Sequence, residues 1–429
     1  MHRIKVHMRI SNSLGARRQI AAAGIIILLL LGCADREHDN PLDPNNPRTG
    51  GMLTGLSVIS IDQKVSLEWD PIDISGYLGT RILRSEDGNN SLVKIAFVEG
   101  TTTFYDDHEV LFDRTYRYQI RAVTGSYESP PSEEIKITPG PSNVWVGFSS
   151  TGALSKLTHD ASHEIYSKSN FFQITGITTA GHRKGIWVSD LIQDQVTHLS
   201  EDGAVLNRLG IDSPIDIDFD TNFNILWVLK QLEKSLVLAD TSGTVLAEAK
   251  GFDNPVSISL DRNSGSCWVA DVAAGNIRLL NPQDFSFVTI GGLAQPEDVA
   301  AYFQDGSCWV ADVSRVLRFS TGGLPLVSLS GFNFVFRVAV NQSTGECWAI
   351  DLESGRGQSK VVKIGSSGSI LMEIDGFTVP QDLDVDEHDG SCLVADTGNS
   401  RVVKISSEGS IIGEWSAPGA PQLIKVSSP

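Results

Sequence analysis

Apolar and polar side chains alternate in short runs along this 429-residue chain, the period-two pattern of strands with one buried face. Val65-Ser66-Leu67-Glu68-Trp69-Asp70 is a clear example, with Trp69 on the apolar side. Similar runs occupy 53–58, 77–83, 92–98, 102–105, 116–123 and 135–137. Seven strands within about ninety residues predict a β-sandwich over residues 52–139. Pro139-Gly140-Pro141 then breaks the chain.

Beyond that break the alternation acquires a longer period. Trp187-Val188-Ser189-Asp190 returns as Trp268-Val269-Ala270-Asp271, Trp309-Val310-Ala311-Asp312, Trp348-Ala349-Ile350-Asp351 and Leu393-Val394-Ala395-Asp396, with weaker copies at Trp145-Val146 and Trp227-Val228. The interval is about forty residues throughout. A further strand-like run goes with each copy, at 174–179, 214–219, 255–260, 296–301, 334–340, 380–385 and 421–426, and Gly turns separate the runs. A fixed period of this length predicts four-stranded sheets set radially around an axis, a seven-bladed β-propeller over residues 142–429. The array begins on a second strand at Val144 and ends on an inner strand. The C-terminal run is therefore expected to complete the first blade, leaving no free edge. The fold class is all-β.

The start of the chain reads as a targeting segment. Arg17 and Arg18 precede the apolar run Ile20 to Leu31, which is too short to span a bilayer. Leu30-Leu31-Gly32-Cys33 closes the run and resembles the lipobox of bacterial lipoproteins. That resemblance implies a signal peptide over 1–32 and acylation of Cys33, and Ala34 after the anchor weakly favours the outer membrane. Residues 33–51, rich in Pro, Asp and Asn, read as a disordered tether. The sandwich resembles a fibronectin type III domain: Trp69 matches its core Trp, Thr115 to Val123 its sixth strand, Tyr116 its tyrosine corner, and Ser129-Pro130-Pro131-Ser132 the turn before its last strand. The final repeat, Val394-Ala395-Asp396-Thr397-Gly398-Asn399-Ser400-Arg401-Val402, resembles the NHL-repeat consensus, in which Asp and Asn are structural turn caps.

Formal charge is −18, and with residues 1–32 removed 29 basic residues face 52 acidic ones. Such a surface repels phosphate backbones, so nucleic acid is excluded as a partner. Cys267, Cys308, Cys347 and Cys392 each precede the Trp position of a successive repeat. Equivalent positions on neighbouring sheets lie roughly 10 Å apart, too far for a disulfide or a shared zinc ion, so the four read as buried thiols between blades. His159, His163, His182, His198 and His388 fall at no common register. The stretch Asp216 to Asn224 alternates oxygen side chains but lacks the Gly and Glu of a calcium loop, and reads as strand plus turn.

One register is chemically richer: Gly176, Asp216, Ser257, Asp298, Arg337, Asp382 and Leu423 open the inner strands and should share one channel mouth. Asp216, Asp298 and Asp382 facing Arg337 form a candidate binding set or a solvated polar rim. No catalytic residue and no cofactor follow from the sequence, although such carboxylates could hold a divalent cation such as calcium. The functional reading is a lipid-anchored protein of the bacterial cell envelope, periplasmic or surface-facing. Its propeller would bind or scaffold an envelope protein or polysaccharide. The alternative is an enzyme, a metal-dependent lyase or lactone hydrolase acting at the channel mouth.

Overall fold

The computed structural model describes residues 39–61, 64–86, 89, 91–112, 114–141, 143–181, 184–230, 232–353 and 359–427. Cys33 and the apolar run before it lie outside these residues. Among the described residues no helix is long and apolar enough to cross a membrane.

Two antiparallel sheets form the first unit. One places Lys64–Glu68 between Ser57–Ile61 and Phe104–Asp107; the other runs Val93–Glu99, Tyr77–Glu86, Tyr116–Thr124, Ile135–Ile137. Val58, Val65, Leu67 and Trp69 from the first sheet meet Ile82, Tyr118, Ile120 and Ala122 from the second in one buried cluster. The Tyr116 hydroxyl accepts the Leu111 amide at 2.9 Å, and the Ser129 and Ser132 hydroxyls accept the amides of Ala122 and Ile120 at 2.9 and 3.0 Å. The segment from 39 to 51, expected as part of a disordered tether, instead folds in successive turns. Asn40, Asp43 and Asn46 side chains accept amides two residues on, an Asx-turn series, and this delivers Leu42 into the sandwich core at 4% exposure. Polar composition hid a single anchoring leucine.

The remaining strands make a β-propeller-like array of seven four-stranded antiparallel units, here called blades. The inner strands are Leu423–Ser427, Ile174–Thr179, Pro214–Asp220, Pro255–Asp261, Pro296–Tyr302, the second half of Pro325–Val340, and Asp382–Val385. The fifth and sixth blades form one continuous six-stranded sheet, because Ser307–Phe319 and Pro325–Val340 each turn a corner without a break, at Val313 (φ 53°) and Gly331 (φ 104°). Each inner strand touches the next in a closed cycle, and Leu423–Ser427 touches both Asp382–Val385 and Ile174–Thr179. The C-terminal strand pairs with Asn143–Phe148, Leu423 opposite Gly147 and Val426 opposite Val144. The ends of the array therefore share one sheet.

Packing between blades explains the repeated phrase. Each Trp leaves its own sheet to lie on the next blade: Trp145 with Ile174, Ile186 and Val188; Trp227 with Ile258, Cys267 and Val269; Trp268 with Val299, Cys308 and Val310; Trp309 with Val338 and Cys347; Trp348 with Leu383 and Cys392. Leu393 does the same against Val144, Val146, Ile424 and Val426 across the closing seam. The residue before each Trp must thus be a modest apolar group beneath the preceding blade's indole. Cysteine suits that volume, as do Ile186 and Leu226 elsewhere. All four thiols are buried and unpaired, and burial pushes each well above its ordinary pKa.

The Asp of the phrase has a separate task. Asp190, Asp271, Asp312 and Asp351 are buried, and each accepts two consecutive backbone amides of the loop entering its own blade: Phe172 and Gln173, Asp253 and Asn254, Ala294 and Gln295, Asn333 and Phe334, at 2.7–3.1 Å. Charge-assisted bonds of this kind contribute about 1.5–3 kcal/mol and fix loops that would otherwise leave donors unpaired.

Deleting residues 418–429 removes the inner strand of the first blade, with buried Ile424 and Val426. The expected cost is several kcal/mol, read calorimetrically as a fall in Tm on the order of 10 °C; an unchanged melting curve contradicts closure by this strand. A thiol titration of a form lacking Cys33 should find no reactive cysteine in native buffer and four in denaturant.

Candidate functional site

The seven inner strands enclose one central channel with a cavity of about 570 Å³. Asp216, Asp298, Arg337 and Asp382 all line it. They pair with Leu229, Ala311, Ile350 and Ala395, each two residues beyond the Trp position of its blade, so the sequence register places them at one level. Two residues further along lie Asp218 and Asp384, opposite Trp227 and Leu393. Alternation in a strand brings both levels into the lumen.

These carboxylates are engaged by the next blade. Asp216 accepts the Ile258 amide at 2.8 Å, Asp218 that of Leu260 at 3.0 Å, Asp298 that of Val338 at 2.9 Å, Asp382 that of Ile424 at 2.9 Å and Asp384 that of Val426 at 2.8 Å. The second oxygen of Asp216 and of Asp382 takes the amide of its own following residue, and that of Asp298 takes the Ser257 hydroxyl at 2.6 Å. Arg337 lies 3.8 Å from Asp382, donates to the Phe336 carbonyl at 3.2 Å and stacks over the Phe336 ring. The predicted set thus converges on one lumen, and most of the bonds its carboxylates accept come from backbone amides.

Enclosure dominates the electrostatics. Burial raises the Asp216 and Asp382 carboxyls to about 7. Bonds to the amides and the field of Arg337 oppose this, while the like charge of Asp298 adds to it. Asp298 is raised as well, again by burial first. Asp382 keeps 18% of its side chain accessible, so the site is confined but open to the lumen.

Histidine does not join this ring. His163 bonds Ser162 at the surface, and His198 stacks on Trp187 with ring centroids 4.4 Å apart, its imidazole held below the ordinary range by burial. His182 lies outside the described residues. His159 is buried at the closing seam with Asp386 and Asp389, in an arrangement whose donor atoms could hold a metal ion. Lys404 already supplies the cation there: its ammonium lies 3.3 Å from Asp386, 2.9 Å from Asp389 and 3.0 Å from the His159 carbonyl. The same device joins other blades, where Lys156 donates to the Glu201 carbonyl, Arg318 to that of Ser366 and Lys363 to that of Ser407, each beside a Trp ring. Sequence reading missed this set, although a basic residue recurring in third strands was its visible trace. The stretch Asp216 to Asn224 is strand and Asx turn, Asp220 accepting the amides of Asn222 and Phe223.

No protein-family model and no curated protein matches the sequence. Solved structures do resemble the fold. A protein of unknown function from Desulfotomaculum acetoxidans DSM 771 is similar over 67% of this chain and 99% of its own, with 11% identity and a TM-score of 0.58. A Bacteroides uniformis ATCC 8492 protein, provisionally described as a 6-phosphogluconolactonase, is similar over 67% of this chain and 100% of its own, with 10% identity and a TM-score of 0.55. At these identities the likeness is one of fold, all-β and propeller-like.

Because the Asp216 and Asp382 carboxyls keep protons that the unfolded chain releases near pH ~4, the folded state binds more protons between about pH 4 and 7. Their contribution to stability is full below pH ~4 and is lost as pH rises through 7. Asp382→Asn should flatten this part of a Tm-versus-pH profile, and an unaltered slope contradicts the assignment.

Proposed function

We propose that this chain is a lipid-anchored protein of the bacterial cell envelope. In this reading Cys33 carries the acyl anchor, a fibronectin type III-type sandwich is a spacer, and a seven-bladed propeller of NHL type binds or scaffolds an envelope protein or polysaccharide. The sandwich assignment is supported by its three- and four-stranded sheets and by the Tyr116 hydroxyl on the Leu111 amide.

The observation that carries the binding reading is the state of the channel carboxylates. Asp216, Asp298 and Asp382 are each committed to a neighbouring blade's backbone, and the lumen holds no histidine among the described residues. A hydrolase needs a base or a metal with open positions facing substrate, and carboxylates already held in place by structural amides are less free to serve either role. Blade packing consumes strand side chains and leaves the loops for recognition.

Growth with an alkyne-tagged fatty acid should label the full chain, and Cys33→Ser should abolish the label and release the protein from the membrane pellet. Persistent label in that variant overturns the anchor. Lactone hydrolysis by the purified protein that requires added divalent metal and disappears in Asp216→Asn would overturn the binding reading in favour of an enzyme.

A further inference from the structure

On the face holding the predicted channel mouth, the seam between the first and second blades departs from the repeat. Phe172, in the loop entering the second blade, is 66% exposed, and Ile192, in the next turn, is 61% exposed. Neither belongs to a loose segment. The Phe172 and Ile192 amides both bond to buried Asp190, at 2.7 and 3.2 Å. The preceding loop residue, Phe171, has its carbonyl so close to Gly152 (φ +64°) that a Cβ there would lie 1.8 Å from it. Where the same Asp clamp recurs, the position of Phe172 holds Asp253, Ala294, Asn333 or Thr378. The position two beyond the clamp, Ile192 here, holds Ala273, Ser314, Glu353 or Gly398. Blade packing therefore does not require an aromatic ring or a branched aliphatic chain at these places.

The two side chains border a cavity of about 360 Å³ whose other walls are Ser149, Ser150, Gln173 and Gln422. In a chain of net charge −18, not one of these six is charged. Gln422 comes from the C-terminal segment and accepts the Ser150 amide at 3.0 Å, so the cavity exists only in the closed ring. An anionic or cationic ligand would find no counter-charge on these walls. A purely apolar segment would strip water from amides and hydroxyls without replacing their hydrogen bonds. A pyranose fits both demands, since its C–H face stacks on a flat ring while its hydroxyl edge exchanges hydrogen bonds with side-chain amides and hydroxyls.

We propose that this seam is a binding site for a neutral oligosaccharide, with Phe172 as the stacking platform and Gln173, Gln422 and Ser150 as hydrogen-bonding partners. The proposal rests on the binding-module reading above and narrows it to one ligand class and one place.

The test is binding of maltoheptaose, chitohexaose and xylohexaose to the full chain in detergent, with polygalacturonate as an anionic comparison. At least one neutral oligosaccharide should bind. Phe172→Ala should weaken that binding by about tenfold or more while leaving Tm unchanged, since the ring is exposed. Phe172→Trp should retain binding, and Phe223→Ala, which removes another exposed ring, should have no effect. Failure of all three neutral glycans to bind, binding of polygalacturonate alone, or neutral-glycan binding indifferent to Phe172→Ala overturns the proposal. An envelope protein captured equally by wild type and Phe172→Ala would also reject this site, while leaving the broader scaffolding function standing.

Discussion

An inner strand of this ring has a partner on one side only. Its other edge faces the channel and the neighbouring inner strand, and every second amide points where no sheet can answer it. Unpaired backbone in an enclosed lumen is costly, and at several seams a side chain of one inner strand accepts an amide of the next. Asp216 and Asp218 do this for Ile258 and Leu260, Asp382 and Asp384 for Ile424 and Val426. Ser259 serves the Ala301 amide at 3.0 Å in the same manner. The acidic lumen is thus first a consequence of how the ring is held together.

Three kinds of contact link successive blades at increasing radius. Carboxylates clasp backbone at the channel; Trp indoles lie on the next blade's inner strands at mid-radius; and cations from third strands reach the neighbouring turn further out. All three recur where the last blade meets the first, through Asp382 and Asp384, Leu393 and Lys404. Closure is therefore chemically one more repeat, and Lys404 shows why a cluster of His159, Asp386 and Asp389 needs no metal to be stable.

Much of this was legible in the sequence because the repeat writes the packing contact of its Trp position seven times. The Trp spacing revealed the number of units, and the unpaired run at 421–426 revealed how the ring shuts. Counting along the inner runs placed Asp216, Asp298, Arg337 and Asp382 on a common level, as the strand register confirms. What escaped were contacts with no periodic trace. Leu42 is a lone apolar residue in a polar segment, yet turn geometry carries it into the sandwich core. The partnership of His159 with Asp386 spans the whole ring and could not be read from spacing. The Phe172 and Ile192 pair was visible in principle, as a break in the grammar at positions that packing leaves free, but its meaning needed Gln422 beside it.

Side-chain clasps between inner strands are the central claim, and backbone hydrogen exchange addresses them directly. Peptides covering Ile424 and Val426 should be strongly protected in the native chain. With Asp382 and Asp384 both changed to Ala, these amides should exchange far faster, while peptides around Ala300 on the opposite wall keep their protection. Equal protection of the C-terminal strand in native and doubly substituted chains would contradict the account.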